Sequence, residues 1–430
     1  MKREKEIKWL YGELPVLIEQ KILSEEAASK IKSYYGAAPQ KKGPGLIFVI
    51  TGVLGALLIG AGIVLLFAHN WEELSRAWRA AFSFLPLIIA QIIYGYVFFK
   101  KKDSDAWTES SAAFLMMMLA SSIALISQTY NLGGTLPDFI FTCMVLSIPL
   151  MYFTNSSLVA IFYLAGICYW ATNSSEREGI WYLLLLAAAV PHLYKNISPH
   201  ETTIRGNMLG WTLSISLFVV CFRAHSWTGI SLMNLHALVF TLLYLLGKIL
   251  YKNGSNIIAR PFQSSMLLVV FGYSLFFSYE WYRYYFFRVE NSFFGIIVTI
   301  VLGLSIVGLL ALHLYKRKKG INYFVIAYPV LLFLCTQMPE EYNIIPVVLF
   351  NIYLLAFGIF YIWWGIHSEQ ISFVNVGMFL VSGLLAVRFF DQDISFIVKG
   401  IVFIIIGVSF LAVNLVLSKH LKSKHEKGPN

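Results

Sequence analysis

Apolar segments of membrane-spanning length follow one another along most of this chain, and polar residues are concentrated between them. About 20 apolar residues in a helix cover the roughly 30 Å hydrocarbon layer of a bilayer. Backbone amides have no water partner in that layer, so segments of this length are predicted to be helices. The predicted spans cover residues 46–68, 78–99, 107–127, 137–154, 157–171, 179–195, 207–224, 229–251, 262–280, 292–315, 321–337, 344–364, 371–389 and 394–417.

Two of these segments, residues 158–171 and 179–194, are short for a full crossing. They form either two crossings or one re-entrant pair, so the chain has about twelve to fourteen spans. The two alternatives differ by two spans, so the orientation of the other spans is the same in both. The predicted fold is therefore an all-α polytopic transmembrane bundle of about 14 spans over residues 45–418.

The first 44 residues are more polar and predict a small cytoplasmic helical segment with a linker into the membrane. Leu10 and Leu14 recur at helical spacing, and Ser24 followed by Glu25 is typical of a helix start that Gly36 would end. The expected structure is a helical hairpin. It docks either on the cytoplasmic face of the bundle or, through residues 1–40, on a cytoplasmic protein partner.

The charge of the chain predicts its orientation. The net charge is +10, with 33 lysines and arginines. If both termini are cytoplasmic, eight of the 33 fall on the outer side and the other 25 on the cytoplasmic side, which includes the basic tail at 419–430. This positive-inside bias predicts cytoplasmic termini. The basic charge therefore concerns topology and contact with anionic membrane lipids, and no nucleic-acid partner is predicted.

Two short polar motifs are predicted to lie on the outer side. Residues 68–73 read AHNWEE after the first span, and residues 128–134 read QTYNLGG after the third. Both spans run outward in the predicted topology, so the motifs would emerge at the same membrane surface.

These motifs resemble those of the domain of unknown function 2157 family of predicted prokaryotic membrane proteins. That family has a cytoplasmic helical hairpin, a glycine-rich first span ending in A-x-N-W-[DE], and Q-x-Y after the third span. Here Ala68, Asn70, Trp71 and Glu72 match the first motif, and Gln128 and Tyr130 match the second.

The resemblance covers about the first 150 residues. Lys21 stands where the family has glycine between the two hairpin helices, and the later spans are similar mainly in hydropathy and in a closing pattern from Arg388 to Asn414. The family implies a multi-pass location in a bacterial or archaeal plasma membrane. It implies no established activity.

Polar side chains at the outer ends of the odd-numbered spans predict a ligand-binding site at the extracytoplasmic rim, because polar groups near the membrane core are costly and are often functional. The candidate ligand-binding residues are His69, Asn70, Trp71, Glu72, Gln128, Tyr130, Glu280, Arg283, Arg388 and Asp391. Each has a simpler structural interpretation. Trp71 also fits an aromatic interface belt, Asn70 a local cap, and Arg388 with Asp391 a local ion pair.

His236 is the clearest ionisable residue inside a predicted span, where it serves either as a helix–helix hydrogen-bonding group or as a proton relay. The four cysteines, Cys143, Cys168, Cys221 and Cys335, lie singly in apolar spans and are expected to be packing residues. No phosphate-binding loop, metalloprotease, hydrolase or metal-ligand motif occurs in the sequence, so no metal and no cofactor are predicted.

Three functional hypotheses remain open. The first is binding or translocation of a polar or lipid-linked small molecule at the outer rim. The second is a membrane-embedded enzyme for a cell-envelope lipid or sugar carrier, with Glu72 and Asp391 among its acid–base groups. The third is an assembly scaffold that recruits a partner through the N-terminal hairpin. The identity of a ligand, a coupling ion and the oligomeric state do not follow from the sequence.

Overall fold

A computed structural model of the chain describes residues 22–35, 74–174, 181–197, 203–250, 260–278, 292–315, 321–338 and 344–391, together with scattered positions between 10 and 20, 50 and 65, and 397 and 412. Regular structure in these parts is helical, and no strand occurs in them. The predicted all-α class is confirmed. The predicted tail at 419–430 and most of the predicted first span lie outside the described residues.

The helices, numbered in chain order, are α1 Glu25–Tyr35, α2 Arg76–Lys100, α3 Asp105–Tyr130, α4 Leu136–Thr154, α5 Ser157–Asn173, α6 Trp181–Asn196, α7 Ile204–Thr228, α8 Leu232–Leu250, α9 Pro261–Phe277, α10 Phe293–Tyr315, α11 Tyr323–Thr336, α12 Ile344–His367 and α13 Ile371–Asp391. In the described part of the chain, eight helices are long and apolar enough to cross a membrane: α2, α3, α4, α7, α8, α10, α12 and α13. The chain is thus a multi-pass membrane protein, while the total of about fourteen spans stays a prediction.

The N-terminal segment contains one complete helix within the described residues. Helix α1 starts after Ser24, whose Oγ accepts a hydrogen bond of 3.3 Å from the Ala27 amide, and it ends at Tyr35. A serine cap followed by Glu25 and Glu26 in the first turn satisfies free amides and favours the positive end of the helix dipole. The first helix of the predicted hairpin falls on residues of which only some are described, so the hairpin stays a prediction.

Successive helices alternate in direction, so each end of the bundle collects the same set of termini. At one end lie the starts of α3, α5, α7, α9, α11 and α13, and we call it the inner end, following the orientation predicted from the charge bias. The opposite end is called the outer end. Arg205 at the start of α7 pairs with Asp105 at the start of α3. Arg223 near the end of α7 donates to the Ser174 carbonyl after α5.

The short helix α5 runs between the two ends of the bundle. Its first residue lies beside Glu109 at the start of α3, and its C-terminal cap Ser174 lies beside Arg223 near the end of α7. Seventeen residues of helix span about 25 Å at 1.5 Å per residue. This favours two crossings over a re-entrant pair for residues 158–171 and 179–194.

Glycines allow a close helix approach between α12 and α13. A β-carbon added at Gly377 would lie 2.5 Å from the Gly358 carbonyl oxygen, and one added at Gly365 would lie 2.5 Å from the Val374 amide nitrogen. Small residues let helix backbones approach this closely, which is a common basis of helix association in membranes.

Prolines interrupt none of the helices that contain them. Pro86, Pro149, Pro191 and Pro329 lie inside α2, α4, α6 and α11, which continue on both sides. These are the tolerated prolines of ordinary membrane helices and not the breaks of discontinuous helices.

Candidate functional site

The structure describes only part of the predicted rim site. His69, Asn70, Trp71, Glu72, Glu280 and Arg283 lie outside the described residues, and Asp391 ends α13 with a side chain that also lies outside them. Gln128, Tyr130 and Arg388 can be located. The ligand-binding role of the whole set therefore stays a prediction.

Gln128 and Tyr130 lie in the last turn of α3, at the outer end. Helix α3 ends because Asn131 adopts a left-handed conformation, with φ of 48°, and the Leu132 amide then bonds the Ser127 carbonyl at 2.9 Å. The Tyr130 side chain is exposed. No side-chain hydrogen bond or ion pair connects Gln128 or Tyr130 to Arg388.

Arg388 links three helices at the same end of the bundle. Its Nε donates to Asn351 Oδ1 of α12 at 2.9 Å, and an Nη donates to the carbonyl of Ser278, the C-terminal cap of α9. A cation beside carbonyls at a helix C-terminus is favoured by the helix dipole. Two of its donors are thus used in packing α13 against α9 and α12.

His236 lies deep in the bundle and joins three helices. It is fully buried in α8. Its Nε2 lies 2.9 Å from the Phe218 carbonyl of α7, and its Nδ1 lies 2.9 Å from the Tyr273 hydroxyl of α9. Nδ1 also lies 2.9 Å from the Leu232 carbonyl one turn earlier in α8, so both ring nitrogens face backbone carbonyls. The geometry is that of an interhelical hydrogen-bonding group.

A cleft opens at the outer end between α8, α10 and α11. It has a volume of about 270 Å³. Leu238, Val330, Phe333 and Leu334 supply apolar walls, while its polar lining comes from Ser231, Asn234, Thr299, Thr336 and Gln337. Within the described part of the chain, no charged residue lines this cleft. The cleft offers an apolar body and a neutral polar end.

One polar atom in this cleft lacks a partner. Asn234 is 8% exposed, and its Nδ2 donates to Thr336 Oγ1 at 3.1 Å. Its Oδ1 has no hydrogen-bond partner among the described residues. A buried acceptor left unpaired costs about 1–3 kcal/mol, and a hydroxyl or amide donor beside this oxygen would recover that cost.

A buried carboxylate, Glu109, forms the main ionic cluster at the inner end. The side chain is 6% exposed. Its oxygens accept hydrogen bonds from the Ser156 hydroxyl at 2.5 Å and from the amides of Ser157 and Leu158 at 3.1 Å and 3.0 Å. The Arg205 guanidinium lies 3.5 Å away. Glu109 thus caps the start of α5 from a different helix and neutralises the positive end of its dipole.

The sequence contained a signal for Glu109 that its motifs did not bring out. Glu109 is an acid inside a predicted span, four residues after Asp105, so both carboxylates lie on one helical face. Arg205 contacts both, at 2.9 Å and 3.5 Å. An acid inside a span needs a partner, but the pattern of one helix does not show which other helix supplies it.

The cysteines occupy packing positions in the bundle. None of the four cysteines, all of which are described, forms a disulfide, and Cys143, Cys221 and Cys335 are buried against apolar neighbours. Within the described parts of the chain, no group of three or more histidine, cysteine or acidic side chains is placed to hold a metal ion.

Comparison with known proteins supports the resemblance at the N-terminal side. Residues 16–160 match the model of the domain of unknown function 2157 family, described as a predicted membrane protein. The predicted family resemblance is confirmed over this region, which contains α1 to α4 and both outer motifs. No curated protein and no solved structure matches the chain.

Proposed function

We propose that this multi-pass membrane protein binds a lipid-like ligand with a neutral hydrogen-bonding head in the cleft between α8, α10 and α11. The observation that carries the proposal is the buried Asn234 Oδ1, which has no partner among the described residues and lies in a largely apolar cleft. A ligand hydroxyl that donates to this oxygen would remove the cost of leaving it unpaired.

The position of the cleft supports a ligand that comes from the membrane. Helix α8 packs against both α10 and α11, and no comparable packing joins α10 to α11 in the described residues. Only 6% of the most apolar segment of α10 is buried in the bundle, so most of that helix is exposed to lipid. Counted along α8 and α11, the cleft reaches roughly 10 Å from the helix ends, the depth of a headgroup and the first part of a chain.

The lining favours a neutral head over a charged one. Desolvating an ion in a cleft without an opposite charge is expensive, whereas a hydroxyl needs only hydrogen-bonding partners. Thr299 supplies a hydroxyl and Gln337 supplies an amide, whereas the Thr336 hydroxyl already bonds Asn234 and the Phe333 carbonyl. This refines the hypothesis of a polar or lipid-linked ligand at the outer end. The rim residues Gln128 and Tyr130 stay a separate prediction.

The test uses two glycines of α10 that differ in position only. A β-carbon added at Gly303 or at Gly308 meets no atom within 4 Å, but only Gly303 lines the cleft. Thermal unfolding of the purified protein in detergent micelles would be followed with a monoacylglycerol and with an alkane of equal chain length. We expect monoacylglycerol alone to raise the melting temperature of the wild type and of Gly308→Leu. Gly303→Leu fills the cleft and should lose the response.

A second pair of variants separates the unpaired oxygen from its neighbour. Asn234→Leu removes Oδ1, whereas Thr336→Val keeps Oδ1 and removes a hydroxyl whose hydrogen bonds stay within the protein, from the Asn234 amide group and to the Phe333 carbonyl. The preference for monoacylglycerol over alkane should vanish in Asn234→Leu and persist in Thr336→Val. An undiminished response in Gly303→Leu, or equal responses to the two probes, would contradict the proposal.

A further inference from the structure

A second cavity lies at the inner end of the bundle and differs chemically from the outer cleft. It has a volume of about 200 Å³ and is lined by the ends of α8, α9, α11, α12 and α13. Pockets that enclose drug-sized molecules start at about 300 Å³, so this cavity suits a smaller group. Its lining includes two cations, Lys248 and Arg260, together with aromatic side chains.

Arg260 is a buried cation that forms no ion pair with the described residues. The residue is 8% exposed, and its Nε has no hydrogen-bond partner in the described part of the chain. Arg260 caps the start of α9 with its backbone, since its carbonyl accepts from the amides of Gln263 and Ser264. Burial lowers the pKa of its guanidinium, because desolvation disfavours the charged form. A second positive charge, Lys248, lines the same cavity with its Nζ 5.5 Å from the centre of the Tyr244 ring.

Three helices start at this cavity. Residues of the first turns of α9, α11 and α13, or just before them, form part of its wall: Gln263, Asn322 and Gln370. The start of a helix carries partial positive charge and free amides, which favours anions. The C-terminal ends of α8 and α12 also reach the cavity, and the two side-chain cations lie among these ends.

Among the residues that the structure describes, no acidic side chain lines the cavity. Glu369, between two lining residues, is exposed and does not line it. One further lining atom, Gln370 Oε1, has no hydrogen-bond partner among the described residues. The cavity therefore offers donors and positive charge for an oxyanion, and one acceptor for a neighbouring hydroxyl.

We propose that this inner cavity binds the phosphate group of an anionic molecule, with Arg260 and Lys248 as its cationic ligands. Arginine matches phosphate with parallel donors, and lysine binds it as a point charge. Basic pockets between helices at the cytoplasmic side recognise the head groups of anionic lipids, and a free phosphate would satisfy the same donors. This site is independent of the outer cleft in residues, charge and ligand.

The experiment measures binding to the purified full-length protein in detergent micelles. The probes are dioctanoyl phosphatidic acid, dioctanoylglycerol, which has the same chains without phosphate, and inorganic phosphate at constant ionic strength. We expect the wild type to bind phosphatidic acid and not dioctanoylglycerol. Competition by inorganic phosphate would support a soluble phosphate as the natural source, and binding without such competition would support a lipid headgroup.

Two variants in the cavity and one surface control test whether the cavity binds phosphatidic acid. Arg260→Gln should weaken phosphatidic acid binding about tenfold or more, because a guanidinium can donate parallel charge-assisted hydrogen bonds to phosphate. Lys248→Gln should weaken it less, because lysine binds phosphate as a point charge. Lys101→Gln removes an exposed cation at the same end of the bundle and should leave the affinity unchanged.

The melting temperature without probe separates binding from folding. A residue that only stabilises the fold would lower it when replaced, whereas loss of an unpaired buried cation should not. Equal phosphatidic acid binding by the wild type, Arg260→Gln and Lys248→Gln would overturn the proposal, as would equal binding of dioctanoylglycerol. If Arg260→Gln does not accumulate as a monodisperse protein, Lys248→Gln with Lys101→Gln still decides the outcome.

Discussion

Two buried charges at the inner end of the bundle differ completely in their partners. Glu109 accepts three hydrogen bonds within 3.1 Å and has Arg205 3.5 Å away. Arg260 is as deeply buried, yet its Nε has no partner among the described residues. Both charges lie at the start of a helix, but only the negative one complements the helix dipole.

This difference separates a structural charge from a binding charge. Once a buried carboxylate is fully bonded, removing it leaves donors and a cation unpaired, so its contribution to stability is large. An unpaired buried cation contributes no such stability and costs desolvation. Such a cost at a functional position is offset when a ligand binds.

The largest expected loss in the free energy of unfolding is that of Glu109→Ala. The variant leaves the Ser157 and Leu158 amides and the Arg205 guanidinium without their carboxylate, and breaking a buried pair in this way costs about 3–5 kcal/mol. Reversible unfolding in mixed micelles would measure the free energy of unfolding of each variant. Asp103→Ala removes an exposed carboxylate at the same end and should have no measurable effect. A small loss for Glu109→Ala would mean that water replaces the carboxylate, and the comparison would fail.

A smaller effect is expected from Arg205→Gln. Arg205 is 40% exposed, and its removal leaves Glu109 with three hydrogen bonds to α5 and its cap. We expect a loss of about 1 kcal/mol, the upper range for partly exposed ion pairs. Asp105→Asn is the matched control, since that carboxylate is 78% exposed and should contribute less than Glu109 to the effect of Arg205. A double variant with Glu109→Ala would measure the coupling directly.

The smallest effect on the unfolding free energy, with a sign opposite to the losses above, is expected from Arg260→Gln in delipidated protein. Replacing the unpaired cation by a neutral group of similar length should leave the unfolding free energy unchanged or raise it by up to about 1 kcal/mol. The same micelle unfolding measurement applies. A loss comparable to that of Glu109→Ala would show that Arg260 has a structural role, and the two charges would then belong to one class.

Much of the helix architecture could be predicted from the chain alone. The predicted spans 107–127 and 344–364 correspond to Asp105–Tyr130 and Ile344–His367, and the charges that bound them lie near the helix ends. Ser24 and Gly36 likewise predicted the limits of α1. These features are local, because a helix satisfies its own backbone within the apolar layer and a cap acts within one turn.

The candidate sites were less accessible from sequence. Gln128, Tyr130 and Arg388 were selected because polar residues at span ends share a membrane depth, and depth alone does not show which helices are neighbours. The outer cleft depends on Asn234 of α8 and Thr336 of α11, which are far apart in the chain. Arg260 and Lys248 read as ordinary basic residues at span ends, and only their shared cavity distinguishes them.

Hydropathy also did not determine which helices lie inside the bundle. Helix α10 has a mean hydropathy of 2.7, yet only 6% of its most apolar segment is buried. Helix α8 is less apolar, with a mean hydropathy of 1.6, but 61% of its most apolar segment is buried. Lipid solvates apolar side chains as well as another helix does, so apolar character fixes that a segment enters the membrane and not what it contacts there. The sequence thus determined the helices and their approximate limits, while the side of the membrane that their charges face stays a prediction. The tertiary structure decided which polar groups are paired and which remain open, because pairing depends on contacts between helices that are distant in the chain.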